Sequence, residues 1–466
     1  MATKITILGA GPGGYVAAIR AAQRGASVTV VERAEVGGTC LNQGCIPTKT
    51  LMASAEAYAQ VRKAADFGIE FTGEAAYNLA RIRERKDKVV ATQVAGIRSL
   101  FKSWGVVLIS ARGSLLSPDV VRAVQQDGTT QDIKSDKVII ATGSRPARLP
   151  GFPFDGEHVL TSDDAVQFKK VPTSLLIIGA GVIGCEFAFL YRTFGAEVTM
   201  IEMMPRALST EDSDISDIIE RELKKAKIKL LANSKVERMS IAADGMVSIS
   251  LSDGTTVSAE QALVSIGRSM NTEDLGLEAA GVKLGKRGEI VVNERMETSV
   301  PAVYAVGDVT AKWMLAHVAS QQGLVAVENA LGGDHVMQYD AVAAGIFTMP
   351  EAGTVGLREQ QAVEKKIAVR IGRFPYRALG RSHTVGAISG IVKVIADAKT
   401  DKVLGVHACG AHATDLVHEG ALAITRGVTA QELGGMIHAH PTFSEGLREA
   451  AEDVHGQAIH LPKPVK

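Results

Sequence analysis

The sequence lacks an excess of charge of either sign, because 51 basic side chains balance 51 acidic ones among its 466 residues. This balance argues against nucleic acid or an acidic membrane surface as a partner. The sequence also lacks a long unbroken apolar run, since the uncharged stretch from Pro172 to Cys185 is interrupted by three glycines. We interpret that stretch as a strand, a turn and a helix, and not as a membrane span.

Cysteine is scarce, with only Cys40, Cys45, Cys185 and Cys409 in the chain. So few cysteines exclude a small secreted scaffold held together by disulfides. Cys185, on an apolar helix face, and Cys409, at the end of a strand, are predicted to be core thiols. The first predicted strand begins at Ile5 with no basic and then apolar segment before it, so we expect no signal or transit peptide and a cytoplasmic protein.

A nucleotide-binding pattern occurs twice. Each copy has a predicted strand, a glycine-rich turn, a helix and a second strand that ends in glutamate. The glycines permit a tight turn, the close approach of a pyrophosphate and the packing of helix on strand, while the acid accepts hydrogen bonds from ribose hydroxyls. The residues are Gly9, Gly11, Gly14 and Glu32 in the first copy, and Gly179, Gly181, Gly184 and Glu202 in the second. Two such copies predict two dinucleotide sites.

The charge of Glu202 bears on the choice of nicotinamide cofactor. A carboxylate at this position repels the 2′-phosphate of NADP, so the second site is predicted to prefer NAD. Arg206 lies nearby in the sequence and could accommodate a phosphate, although a solvated charge at a helix start is the simpler interpretation.

The segment from Gly37 to Lys49 contains Cys40 and Cys45, followed by Pro47, which can open a helix. This spacing suits a disulfide between a loop and a first helical turn, where the helix N-terminus stabilises a thiolate. A pair of buried thiols and half of a zinc site are the other interpretations. Glycines and polar residues surround the pair, however, and no second close pair of Cys or His has metal-ligand spacing. We therefore favour a redox-active dithiol and predict no metal.

A candidate base lies near the C-terminus, where His440 precedes Pro441 and is followed by Glu445. A dithiol must lose a proton before it attacks a disulfide, and a histidine oriented by a carboxylate is a suitable base. Taken alone, the motif is equally consistent with a surface histidine.

Other predicted elements are helices from Pro47 to about Ala65, from about Leu79 to Trp104 and from Ala413 to Arg426, strands at 138–140 and 302–306, and a hairpin of 391–396 with 403–408.

Together these motifs resemble the pyridine nucleotide–disulfide oxidoreductase family over essentially the whole chain. The resemblance rests on residues 9–14, 37–49, 141–143, 179–184, 298–308 and 438–445. It implies an α/β fold with two Rossmann-like domains, which bind FAD and NAD, and a C-terminal α+β dimerisation domain. The implied boundaries are 1–147 for the FAD-binding domain, 148–269 for the NAD-binding domain, 270–342 for a central domain that completes the FAD site, and 343–466 for the dimerisation domain.

The resemblance also implies roles for individual residues. Lys49 would sit near the flavin and pair with Glu186, while Cys45 would lie beside the flavin and Cys40 would face the substrate. His440 and Glu445 would reach the cysteine pair of the other subunit of a homodimer, and the peptide bond before the proline that follows His440 would be cis. Further residues implied in cofactor binding are Glu32, Gly113, Thr142, Gly143, Asp308, Met314, Leu315, Ala316 and His317 for FAD, and Glu202, Val236 and Gly267 for NAD.

Within the family, the motifs are most similar to the members that oxidise dihydrolipoyl groups with NAD⁺, through FAD and the cysteine pair. The expected partner is a lipoylated protein of a 2-oxoacid dehydrogenase or of the glycine cleavage system. One departure from the family pattern, Gln43 between the cysteines, could tune substrate fit.

Two alternatives stay open. The first is another disulfide reductase of the family, acting on glutathione, a mixed disulfide or mercuric ion. Glu202 disfavours an NADP-dependent glutathione reductase, and the tail at 461–466 lacks the cysteine pair expected of a mercuric reductase. The second is a non-catalytic scaffold subunit, which the intact dithiol and His–Glu motifs disfavour.

Overall fold

The computed structural model describes residues 1–463 and divides the chain into two compact units. Unit 1 comprises Met1–Ala147, Ser162–Lys169 and Gly267–Met337, and unit 2 comprises Arg148–Thr161, Lys170–Ile266 and the described residues from Gln338 onward. Residues 464–466 of the cysteine-free tail lie outside the described part. The division into four domains stays a prediction.

Unit 1 is built on a five-stranded parallel sheet. The order across the sheet is Val303–Ala305, Lys137–Ile140, Lys4–Leu8, Ser27–Glu32 and Val107–Ser110. The central strands are apolar on both faces, and Ile5, Ile7, Val30 and Ile139 are buried, as expected where helices cover a parallel sheet. The carboxyl ends of the strands meet at one edge, and the first glycine-rich turn lies there because it follows Leu8.

Helices and smaller antiparallel sheets complete unit 1. The helix Pro12–Gln23 packs closely on Ala316–Ala330, since a Cβ added to Gly323 would lie 2.6 Å from the carbonyl oxygen of Gly13. The other α-helices are Gly38–Asn42, Cys45–Arg62, Leu79–Ser103 and Ser162–Ala165, with 3₁₀ turns at Ala64–Phe67 and Gly307–Thr310. The antiparallel strands are Arg112–Ser117, Val120–Val124 and Thr130–Lys134 in one sheet, and Ser144–Pro146 with Arg268–Met270 in another.

Unit 2 contains a second parallel sheet of five strands. Its order is Lys229–Leu231, Glu197–Ile201, Ser174–Ile178, Gln261–Val264 and Val159–Leu160. The helices Val182–Thr193 and Ser213–Lys225 follow its strands, and a three-stranded antiparallel sheet is formed by Val236–Ile241, Val247–Leu251 and Thr256–Ala259. The strand, turn, helix and strand of the second nucleotide-binding pattern therefore repeat the arrangement of the first.

The C-terminal part of unit 2 is an antiparallel sheet with helices packed on it. The strand order is Ala343–Ile346, Ala352–Gly356, Val403–Cys409, Ile391–Asp397 and Val369–Pro375. The helices are Glu359–Glu364, Gly380–Thr384, Ala413–Arg426, Ala430–Gly434 and Glu445–Asp453, with a 3₁₀ turn at Tyr376–Ala378. Phe374, Val392, Val406 and Leu447 belong to the apolar core of this part.

The α/β architecture, the hairpin at 391–409 and the helix Ala413–Arg426 confirm the sequence predictions. The helix expected from Pro47 to about Ala65 is also present, from Cys45 to Arg62. One local prediction is wrong, because the loop expected around Cys40 is a short helix. In the described part of the chain, every helix is too short or too polar to cross a membrane.

Candidate active site

The two glycine-rich turns have the same geometry at their first and third glycines. The first glycine has a positive φ in each, 100° at Gly9 and 96° at Gly179. The third, Gly14 or Gly184, packs against the carbonyl group of the first so closely that a Cβ would overlap it. These four positions require glycine for the fold itself.

The middle glycine of each turn is different. A Cβ built on Gly181 meets no atom within 4 Å, and one on Gly11 meets only the Cα of Gly38, at 3.8 Å. The absence of a side chain is therefore not needed for packing at these positions. It leaves the N-terminus of the following helix open to a pyrophosphate, so both turns fit a dinucleotide.

Each turn has its acidic partner fixed beside it. Glu32 accepts hydrogen bonds from the backbone N–H groups of Ala10 and Ala34 at 2.7 and 2.8 Å. Glu202 accepts the equivalent bonds in the second copy at 2.6 and 2.8 Å. The two carboxylates are thus held in one orientation at the ends of their strands, where ribose hydroxyls would meet them.

The predicted dithiol lies next to the first glycine-rich turn. Cys40 is in the helix Gly38–Asn42, and Cys45 is the first residue of the helix that follows. The short helix approaches the turn so closely that a Cβ on Gly38 would come within 2.6 Å of the Cα of Gly11. This contact between glycines sets the cysteine pair beside the first nucleotide site.

A side-chain hydrogen bond joins Cys40 and Cys45. That bond to Cys45 and the burial of the sulfur raise the pKa of Cys40, although the nearby Lys49 opposes the shift. A backbone hydrogen bond with Cys45 also opposes the shift, but the raised pKa favours the protonated thiol at Cys40. Negative charge on the pair is favoured at Cys45, because the N-terminus of a helix stabilises a thiolate.

Thr142 and Gly143, predicted beside the flavin, are fixed by a residue that the sequence did not single out. Asn271 donates its side-chain N–H to the backbone carbonyl of Thr142 at 2.9 Å. The backbone carbonyl of Asn271 accepts a hydrogen bond from the Thr142 hydroxyl at 2.8 Å. Its backbone N–H donates to the carbonyl of Gly143 at 2.9 Å. Gly143 has a φ of 69°, and a Cβ there would meet no atom within 4 Å. The turn thus presents bare backbone.

Asp308 lies in the 3₁₀ turn Gly307–Thr310, directly after the strand Val303–Ala305. Its carboxylate accepts a hydrogen bond from the hydroxyl of Ser144. Arg268 donates to the same hydroxyl at 2.6 Å and lies 3.7 Å from the carboxylate. The charge of Asp308 is therefore oriented by two side chains from the small sheet of unit 1.

Gly113 lies in the strand Arg112–Ser117, where a Cβ would lie 3.1 Å from Val31, so packing alone already favours glycine there.

Glu186 is 3% exposed and accepts a hydrogen bond from the backbone N–H of Phe347 at 3.0 Å. The other predicted cofactor residues are Met314, Leu315, Ala316 and His317, at the start of the helix Ala316–Ala330, Val236, which opens its strand, and Gly267, with a φ of 124°. The pairing of Lys49 with Glu186 and the individual cofactor contacts stay predictions.

His440 and Glu445 form the predicted dyad. His440 Nδ1 lies 2.8 Å from Glu445 Oε1, and the peptide bond to Pro441 is cis, as expected. Although partial burial opposes it, the backbone N–H of Thr442 and the His440 ring hold the pKa of Glu445 below its usual value. The His440 side chain is 75% exposed, so Nε2 is accessible for proton transfer.

Two residues around the dyad were missed by the sequence analysis. Thr442 donates its N–H to Glu445 at 2.9 Å and its hydroxyl to the carbonyl of Ala439 at 2.7 Å. His460 lies 2.8 Å from Glu449 and adds to the lowering of the pKa of Glu445. The turn residue Thr442 could have been found from its place after Pro441, but no local signal marks His460.

Comparisons with known proteins agree with this geometry. The family described as pyridine nucleotide-disulphide oxidoreductase matches residues 3–323, and the dimerisation domain of that family matches residues 342–451. Dihydrolipoyl dehydrogenase from Bacillus subtilis is 43% identical to this chain, with 99% of this chain and 100% of the relative aligned. The mitochondrial dihydrolipoyl dehydrogenase of Bos taurus is 39% identical, with 96% of this chain and 89% of the relative aligned.

Solved structures lead to the same family. The crystal structure of LpdA from Mycobacterium tuberculosis has a TM-score of 0.91 and 32% identity, covering 97% of this chain and 99% of that one. The HOCl-induced flavoprotein disulfide reductase RclA from Escherichia coli, solved as a Cu(II) complex, has a TM-score of 0.86 and 26% identity, covering 97% and 99%.

Proposed function

Because the chain belongs to the pyridine nucleotide-disulphide oxidoreductase family, we propose that it oxidises dihydrolipoyl groups of a partner protein to lipoyl groups, with NAD⁺ as the final acceptor. The observation that carries the proposal is the hydrogen-bonded Cys40–Cys45 pair beside a dinucleotide turn. The exposed His440–Glu445 dyad and an identity of 39–43% to dihydrolipoyl dehydrogenases over nearly the full length support it.

The chain uses FAD and NAD, the cofactors of this family. We assign the turn with Gly11 and Glu32 to FAD, because the cysteine pair lies beside it, and the turn with Gly181 and Glu202 to NAD. When bound, FAD carries two electrons between the cysteine pair and NAD⁺. The protein positions the reacting groups and moves the protons.

The protons and sulfur bonds follow from the dithiol geometry. His440 removes a proton from a substrate thiol, and the thiolate attacks Cys40 in the oxidised pair. The Cys40–Cys45 bond breaks, and Cys45 leaves as a thiolate at the helix N-terminus. The second substrate sulfur then displaces Cys40, closing the lipoyl ring. His440 gives its first proton to solvent at the exposed Nε2, takes the proton of the second substrate thiol, and passes it to Cys40 as that sulfur leaves, because the pKa of Cys40 is raised in the reduced pair.

The match of residues 342–451 to the dimerisation domain supports a homodimer. In our proposal, His440 and Glu445 of one subunit serve the cysteine pair of the other, so each active site is shared. The partner is a lipoylated protein of a 2-oxoacid dehydrogenase or of the glycine cleavage system, in the cytoplasm. A long arm on that protein would bring the dithiol to the exposed face of His440.

The test is a steady-state assay of the purified holoenzyme with two substrate pairs. Dihydrolipoamide with NAD⁺ is expected to be turned over, and glutathione disulfide with NADPH is expected to give background rates. The reverse preference would indicate another disulfide reductase of the family. No turnover with either pair, from a protein with full FAD content, would reject the proposal.

A further inference from the structure

The loop that carries His440 contains a second pairing of histidine with glutamate. His438 Nε2 lies 2.9 Å from Oε1 of Glu419, which projects from the helix Ala413–Arg426. His438 Nδ1 lies 3.1 Å from the carbonyl oxygen of Met436. Each ring nitrogen thus lies within hydrogen-bond distance of an oxygen acceptor, and a neutral imidazole donates its single N–H to one of the two.

The two histidines differ in exposure. The side chain of His438 is 6% exposed, against 75% for His440. A histidine that is buried and paired with a carboxylate is unsuited to meeting substrate. It is well suited to fixing the backbone on which the exposed histidine stands.

The loop is anchored to a different helix on each side of His440. Before it, Glu419 holds His438 to the helix Ala413–Arg426. After it, Glu445, at the start of the helix Glu445–Asp453, holds the His440 ring and the N–H of Thr442. The base therefore lies between two carboxylate anchors, one on each neighbouring helix.

Resting on the proposed function, we propose that His438 and Glu419 are positioning residues that act through His440. They set the place of the imidazole that exchanges protons with the dithiol substrate. Since a misplacement of about 1 Å can cost about 100-fold in rate, loss of the anchor should lower kcat for dihydrolipoamide by about 10- to 100-fold and change KM little.

The experiment compares His438→Ala, His438→Gln and Glu419→Ala with the wild-type holoenzyme. Two rates are measured, the oxidation of dihydrolipoamide by NAD⁺ and the oxidation of NADH by a one-electron dye, which does not use His440. We expect both alanine variants to lose dihydrolipoamide turnover and keep the dye rate within about twofold. His438→Gln should recover much of the loss, because its amide can still donate to Glu419.

A matched control is His455→Ala, which removes another part-buried histidine paired with a carboxylate, 3.1 Å from Asp401 in the same part of unit 2. It should leave both rates unchanged. A double variant tests whether His438 acts through His440. Adding His438→Ala to His440→Gln should cost no further turnover, because the base is already gone.

The outcomes separate the two proposals. Wild-type protein without dihydrolipoamide turnover would reject the proposed function itself. With an active wild type, the positioning role is overturned if His438→Ala keeps kcat within about twofold. It is equally overturned if its loss multiplies with that of His440→Gln, or if the dye rate falls in parallel.

Discussion

A side-chain hydrogen bond joins Cys40, whose pKa it raises, to Cys45, the first residue of the helix Cys45–Arg62. The bond gives the two sulfurs different chemistry, because one keeps a proton and the other occupies a position that favours the thiolate. An asymmetric pair of this kind can accept electrons from a substrate at one sulfur and pass them to a bound flavin from the other. The remaining features of the site supply cofactors and protons to that pair.

Replacing Cys45 with serine should abolish turnover of dihydrolipoamide to background, because the hydroxyl cannot form the disulfide. FAD content and the NADH–dye rate should stay near wild type, since neither requires the pair. Absorbance of the bound flavin and the two steady-state rates check this. Measurable dihydrolipoamide turnover by Cys45→Ser would contradict the assignment of the redox pair.

Replacing His440 with glutamine should lower kcat for dihydrolipoamide by about 10²- to 10⁴-fold, the usual cost of losing a general base. Glu445→Gln should have a smaller effect in the same direction, because the amide still accepts from the imidazole at 2.8 Å while its charge is lost. The measurement is kcat across pH with the dye rate as the internal control. Equal effects on both rates would point to misfolding and not to base catalysis.

The glycines of the second nucleotide turn should respond differently to alanine. At Gly181 a Cβ meets no protein atom within 4 Å, so Gly181→Ala should fold normally and raise KM for NAD⁺ about tenfold, or ~1.4 kcal/mol of lost binding. At Gly184 a Cβ overlaps the carbonyl of Gly179, so Gly184→Ala should lower Tm or prevent folding. Thermal unfolding and NAD⁺ titration distinguish the two variants, and a stable Gly184→Ala protein would show the overlap to be wrong.

A buried lysine in unit 2 gives a prediction about stability. Lys393 is fully buried, and its Nζ lies 2.7 Å from Asp212 and 2.5 Å from Glu359. Asp214 also lies at the Lys393 ammonium, and Arg373 pairs with both Asp214 and Glu359. Lys393→Met therefore removes the cationic partner chiefly of Asp212, which keeps hydrogen bonds from the backbone N–H groups of Asp214 and Glu359, and should cost about 3–5 kcal/mol of unfolding free energy at pH 7. The matched control is Lys170→Met, whose partly exposed pair with Glu260 should be worth under about 1 kcal/mol.

The pair of Lys393 with Asp212 also makes the stability of the protein depend on pH. Although burial opposes it, the electrostatic interaction with His407 and the hydrogen bond from Lys393 hold the pKa of Asp212 below its usual value of about 3.9. The stability it contributes is present above pH ~4 and is lost as the pH falls further, through the folded-state pKa. The Tm difference between wild type and Lys393→Met should therefore be constant from pH 5 to 8 and should narrow below pH ~4. A difference that widens in acid would contradict this sign.

The parts of the site that could be predicted from the sequence are those in which local spacing determines the geometry. The glycine turns, the helix that Cys45 opens and the dyad of His440 with Glu445 each lie within a few residues of chain. The glutamates could be found because the same spacing occurs in both copies.

What could not be predicted depends on partners distant in sequence. Asn271 fixes Thr142 across 129 positions, and Lys393 meets Asp212 across 181. The short helix around Cys40 was missed because its glycines suggest a loop; Gly37 and Gly38 do have positive φ, but they stand at its start, where Gly38 packs on Gly11 of the first turn. No local pattern encodes these long-range contacts.

The most direct test of the account is a count of thiols in the holoenzyme after anaerobic reduction by one equivalent of dihydrolipoamide. Oxidised protein is reduced, alkylated and analysed by mass spectrometry of its peptides. The account predicts two new alkylated sites, Cys40 and Cys45, with Cys185 and Cys409 unchanged because both are buried. Turnover of the substrate with no gain of label at Cys40 and Cys45 would contradict it.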